Sequence, residues 1–150
     1  MHDAFEKLQR LDLKGKNDRE IVRVLVECCG REKVFNPFYS ELAAQLCSHN
    51  RQFRTTFQFA FWDSFKLFAE GYDDDSATIG SDGKRKANSN NSIITRKAIN
   101  LARLFCHLVI TFHLSLSSLK PVDMTELAAP MILFLATLFF ALFSSKVFFV

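Results

Sequence analysis

Proline and glycine are scarce, with three and five in 150 residues. These residues interrupt helices, so most of the length is free to be helical. Cysteine is equally sparse. Cys28, Cys29, Cys47 and Cys106 form no CxxC pair and no even framework, which points to free, mostly buried thiols in a reducing compartment. No glycine-rich phosphate loop, no H-E-x-x-H and no Cys/His ligand spacing occurs. Cys106 and His107 are neighbours and cannot point the same way on a helix. His49 near Cys47 lacks a third ligand. Asp63 is a lone acid beside Trp62, and Ser40, Ser64 and Ser115 have no base at a predictable distance. No catalytic, cofactor-binding or metal-binding set is therefore expected, and the chain is not read as an enzyme. A secretory signal is not expected either, because His2, Asp3, Glu6, Lys7 and Arg10 interrupt any early apolar run. The net charge of +3 permits nucleic-acid contact without demanding it.

What the chain has is phenylalanine, 17 against two tyrosines and one tryptophan. Phenylalanine brings ring area with no polar handle, so most of it belongs in a core or on a contact surface. The length is enough for one domain with a real core. Residues 4–11 read as a short helix that looks cut off at its start. Asn17 and Glu20 form a capping pair for a second helix, whose apolar face carries Ile21, Val22, Leu25, Cys28 and Cys29 and which Gly30 ends. Asn36-Pro37 opens a third helix, with asparagine as cap and proline in the first turn. Phe38, Leu42 and Leu46 form its packed face, and Asn50 ends it.

The next helix begins near Arg51. Phe53, Phe57, Phe61, Phe65 and Phe68 make one long stripe, and Phe59 and Trp62 extend it to a second side. Such a helix is expected to be central and covered on both sides. Residues 71–92 then change character, from acidic to basic to Asn/Ser-rich. They cannot bury enough apolar surface to offset their ordering entropy, so a disordered insertion is expected. A long helix resumes near Ile93, with Ile94, Ala98, Leu101, Leu104, Phe105, Leu108 and Phe112 at spacings of three and four. Residues 114–119 alternate Leu with Ser, but a lone strand would have no partner here, and a short helix or turn is expected. Asp123 and Glu126 are placed to start one helical turn. Pro130 starts a last helix running through Leu142 or beyond. No charged residue occurs between Leu127 and Ser145, and that length approaches a membrane span. Pro130, Thr137, Ser144 and Ser145 leave a marginal apolar core, so a buried closing helix or a contact surface is expected rather than a span.

Three runs carry a further signal: DAFEKLQRLDLKGKNDREIVRVLVECC from residue 3, NPFYSELAAQLCSHNRQFRTTFQFAFWDSFK from residue 36, and NLARLFCHLVITFHLSLSSLKPVDMTEL from residue 100. Together they resemble the MA-three domain, an all-α module of stacked antiparallel helix pairs (a HEAT-like helical repeat). The resemblance is greatest to the nucleolar MIF-four-G domain-containing family of small-subunit ribosome-biogenesis factors. A spliceosomal relative has a similar domain, but NPFY, FQFAFWD and LSLSSLK look more like the nucleolar branch. On this reading residues 1–150 are a single MA-three-like domain, truncated at its N-terminus, with 71–92 as the insertion.

The resemblance implies a non-catalytic scaffold in the nucleolus or nucleus, acting in pre-rRNA processing. It implies a DEAD-box RNA helicase of the initiation-factor-four-A type and pre-ribosomal assembly factors as partners, with weak contact to pre-rRNA. It implies no cofactor and no membrane partner. The loops at 32–36 and 49–51 are the candidate protein-interaction surface, with Glu32, Lys33, Asn36, Glu41, Arg51 and Arg54 as its residues. Three other roles compete with this one: a direct RNA-binding module, a splicing scaffold and a membrane-anchored fragment. Arg51, Arg54, Lys66, Arg96, Lys97 and Arg103 lie near aromatics, but the rings have core spacing rather than the exposed spacing of a stacking platform.

Overall fold

The computed structural model describes residues 2–10, 17–71 and 86–145. It is built from α1 (His2–Arg10), α2 (Asn17–Arg31), α3 (Pro37–His49), α4 (Gln52–Glu70), α5 (Lys86–Ile110), a 3₁₀ turn (Leu116–Leu119) and α6 (Ala129–Ser144). No strand occurs among the described residues. The fold is all-α, with helices stacked in the manner of a helical repeat.

Local chemistry explains most of the boundaries. Asn36 Oδ1 accepts from the Phe38 amide at 3.0 Å, and Pro37 occupies the first turn of α3. Asn50 serves both neighbouring helices. Its amide donates to Leu46 O at the end of α3, and its Oδ1 accepts from the Gln52 amide at the start of α4. Gly71, at φ 76°, ends α4 in a conformation that side chains rarely adopt.

Two expected boundaries differ. Gly30 does not end α2, which continues to Arg31. Its role is close approach, because a Cβ at this position would sit 2.8 Å from Lys97 Cγ on α5. Asp123 and Glu126 do not open a helical turn. Asp123 Oδ1 instead accepts from both the amide and the hydroxyl of Thr125, at 2.9 and 2.6 Å, which holds the segment in a local turn. The Leu/Ser run forms the 3₁₀ turn, with Ser115 Oγ accepting from the Ser117 amide. The expected insertion lies for the most part outside the described residues, and from Lys86 onward the chain is already α5.

α5 is the central helix. Leu101, Leu104, Phe105 and Leu108 are fully buried along it. The five stripe phenylalanines of α4 are all buried, and several join a ring cluster shared with α5 and α6. Phe105 meets Phe61 edge-on at 4.9 Å, Phe134 meets Phe65 edge-on at 5.1 Å, and Phe68 lies 5.7 Å from Phe134. The edge-to-face geometry of the first two pairs adds to the area term of burying those rings. The second side of α4 is only partly covered. Trp62 donates its indole N–H to Ser118 O at 2.8 Å, but Phe59 is 54% exposed. On α2, Cys28 is exposed and Val26 takes the place expected for it in the core.

α6 closes the bundle with Met131, Phe134, Leu135, Leu138 and Leu142. Its outer face bears Ile132, Phe139, Phe140 and Phe143, all exposed. No described helix is long and apolar enough to cross a membrane.

Candidate protein-interaction surface

The six candidate residues fall into two groups. In the α2–α3 link, Glu32 and Asn36 hold the structure together. Glu32 Oε1 accepts from the Tyr39 hydroxyl at 3.1 Å, and Glu32 O accepts from Asn100 Nδ2 at 2.8 Å, while Asn36 is the cap of α3. Lys33 is exposed between them.

The second group lies where α3 turns into α4 beside the end of α5. Ser48 Oγ on α3 lies 3.3 Å from His113 Nε2. Burial, with the nearby charges of Arg54 and His107, pushes the His113 imidazole below its ordinary range. Glu41 Oε1 lies 3.6 Å from His107 Nε2. Arg51 is exposed at the turn, and neither Arg51 nor Arg54 has an acidic partner among the described residues. Arg54 Nε, His107 Nε2, His113 Nδ1 and Gln45 Oε1 are buried without a hydrogen-bond partner. The structure thus puts Arg51 and Arg54 together past the end of α3, leaves Glu32, Lys33 and Asn36 at its start, and sets Glu41 between the two groups, against His107.

Two features were not foreseen from the sequence. A groove of about 940 Å³ runs between α2 and α4, with Val22, Val26, Ala60 and Leu67 among its apolar lining and Arg19, Glu20 and Asp63 on its rim. A smaller pocket of about 380 Å³ lies between α4 and the segment before α6 and includes Trp62, Leu127 and Met131. Phe59 borders both. The sequence signal was its place off the main α4 stripe, which was read as a second buried side.

Burial pushes the Cys29 and Cys47 thiols up to about 12 and raises Cys106 as well, so these sulfurs are poor nucleophiles. Among the described residues, no group of three or more His, Cys, Asp or Glu side chains is placed to hold a metal ion. The helices carry grooves, exposed aromatic rings and, in Arg51 and Arg54, cations without an acidic partner among the described residues.

Fold and surface therefore define a helical scaffold of the repeat type. The model of the MA3 domain matches residues 1–115, and the chain belongs to the MA3 domain family. It is 39% identical over 140 residues to nucleolar MIF4G domain-containing protein 1 of Mus musculus, covering 93% of this chain and 14% of that protein. It is 35% identical over 137 residues to suppressor of glycerol defect protein 1 of Schizosaccharomyces pombe, covering 91% of this chain and 16% of the relative. To pre-mRNA-splicing factor CWC22 of Mycosarcoma maydis it is 27% identical over 124 residues, 83% of this chain and 12% of that protein. The chain spans about a seventh of the length of the curated relatives it matches.

Proposed function

We propose that this chain is a non-catalytic protein-interaction module of the nucleolus, acting in small ribosomal subunit biogenesis and pre-rRNA processing together with a DEAD-box RNA helicase of the initiation-factor-four-A type. One observation carries the reading: identity to the nucleolar relative is 39%, against 27% to the splicing factor. The structure supports the non-catalytic part. The Cys29 and Cys47 thiols are held protonated by burial, and the open features are grooves and rings, the anatomy of a binding surface rather than of a reaction centre. Proteins in the same particle are its direct partners, with pre-rRNA a weaker contact.

The test is affinity purification of the tagged chain from nuclear extract, with and without nuclease, followed by mass spectrometry. Nuclease-resistant recovery of small-subunit assembly factors and a DEAD-box helicase is expected. Recovery that disappears with nuclease would replace the protein scaffold with a direct RNA-binding module. Recovery of spliceosomal particles instead would move the chain to splicing.

A further inference from the structure

The end of α5 is built at a cost. Phe112 has φ 61°, the left-handed region in which Cβ crowds the following carbonyl and which glycine occupies freely. The hydrogen bonds around it are those of a left-handed helix cap. The Phe112 amide donates to Val109 O at 3.1 Å, and the His113 amide to Leu108 O at 2.9 Å. Glycine is the usual residue at this position of such a cap. Here a phenylalanine takes it and gains no burial in return, because its residue surface is 82% exposed. Strain and exposure thus fall on one residue, and neither serves the fold.

The surroundings indicate what would cover the ring. The Ser48–His113 contact fastens this end of α5 to the end of α3. There His49 and Arg51 are exposed and Arg54 is half-buried. The acid on this stretch of α3, Glu41, faces His107 two turns back. An apolar knob next to His113, which Arg54 faces, at an end of the bundle whose arginines lack acidic partners among the described residues, suits a cavity that is apolar at its base and acidic at its rim. We infer that Phe112 is an anchor, whose ring enters an apolar pocket of a partner protein while carboxylates around that pocket meet Arg51 and Arg54. This rests on the reading of the domain as a protein-interaction module and names the contact it uses.

The structure makes an unusual demand on the test. Phe112→Gly keeps the cap and removes both the strain and the exposed ring. It should raise Tm by roughly 2–4 °C while the chain loses its partner. In the full chain, a benzoylphenylalanine at position 112, irradiated in nuclease-treated nuclear extract, should yield a protein adduct. The adducted peptide should combine apolar residues with several carboxylates, and Arg51→Glu should cut its yield at least tenfold. An adduct with RNA, an adduct with a second copy of this chain, an adduct indifferent to Arg51→Glu, or no adduct would each overturn the inference. Sedimentation separates the two readings. If the wild-type chain and Phe112→Gly both travel with small-subunit precursors, the anchor is wrong and the proposed function stands. If the wild-type chain does not travel with them, the proposed function falls, and the adduct still decides the anchor.

Discussion

α5 has two faces that are held by different forces. Toward α4 and α6 it is dry. Phe105 is fully buried there, and the rings of Phe61 and Phe134 close on it at 4.9 and 6.0 Å. Toward α2 and α3 it presents polar side chains in sequence. Lys97 Nζ reaches Glu27 at 2.8 Å, Asn100 Nδ2 donates to Cys29 O and Glu32 O, Arg103 lies over the Phe35 ring at 5.8 Å, His107 meets Glu41, and just past the helix end His113 meets Ser48. Apolar packing is strong but indifferent to small slips along the helix. The polar contacts add little net energy each, yet each one is met in only one alignment. The comparison suggests a division of labour in which one face supplies stability and the other sets where α2 and α3 lie along α5.

Substitutions on the dry face should be the most damaging. Phe105→Ala removes the ring at the centre of the cluster and should cost about 3–5 kcal/mol, a large share of the roughly 5–15 kcal/mol that holds a domain together. Urea denaturation would measure it, and a loss below about 1 kcal/mol would show that the ring cluster is not the main support. Next is Asn100, 2% exposed. Asn100→Ala leaves two carbonyls without their donor and should cost about 1–3 kcal/mol. Hydrogen exchange should rise selectively at the end of α2, and a loss spread evenly over the molecule would contradict the registering role.

The Lys97–Glu27 pair should contribute less, about 0.5–1 kcal/mol, since Glu27 is nearly half exposed. The Lys97 hydrogen bond holds the Glu27 carboxyl below its ordinary 4.5. The unfolded chain therefore takes up the proton first, as pH falls. The contribution is complete above the unfolded value and is lost as pH drops through the folded one. In Lys97→Met the acid side of the stability profile should flatten, and an unchanged profile would remove the pair from the account. Smallest is Arg103→Gln, at about 0.5 kcal/mol for an exposed cation over a ring. Thermal melts of the variant should shift by no more than a degree or two, and a larger shift would give Arg103 a role beyond the stacking seen here.

The same division shows how much was legible in the chain. α4 and α6 are both rich in phenylalanine, but only α4 marks its outside with charge. Arg54, Asp63, Lys66 and Glu70 alternate with its rings, so the stripe from Phe53 to Phe68 could be read as core, and it is. α6 has no such markers. Its periodicity could not distinguish Phe134, fully buried, from Phe140, 75% exposed. Phe59 failed for a related reason, since an apolar residue off the main stripe is covered only if a neighbour arrives. Of the six candidate surface residues, Arg51 lies at the turn before α4 and Arg54 in the first turn of that helix, as their position beside Asn50 indicated, and Asn36 caps α3, as its place before Pro37 indicated. The contacts of Glu32 with Tyr39 and Asn100 were not legible. Nothing in the spacing along the chain showed that His113 would lie against Ser48, 65 residues away.

By itself the sequence determined the helices, through caps such as Asn36-Pro37 and the spacing of Phe53, Phe57 and Phe61, because both act within a turn or two of backbone. Only the tertiary structure decided which rings stay dry, what Gly30 and Asn100 are for, and that Phe112 occupies a glycine's conformation facing solvent. Those outcomes depend on which helix lies against which, and that is settled by packing between residues far apart in the chain.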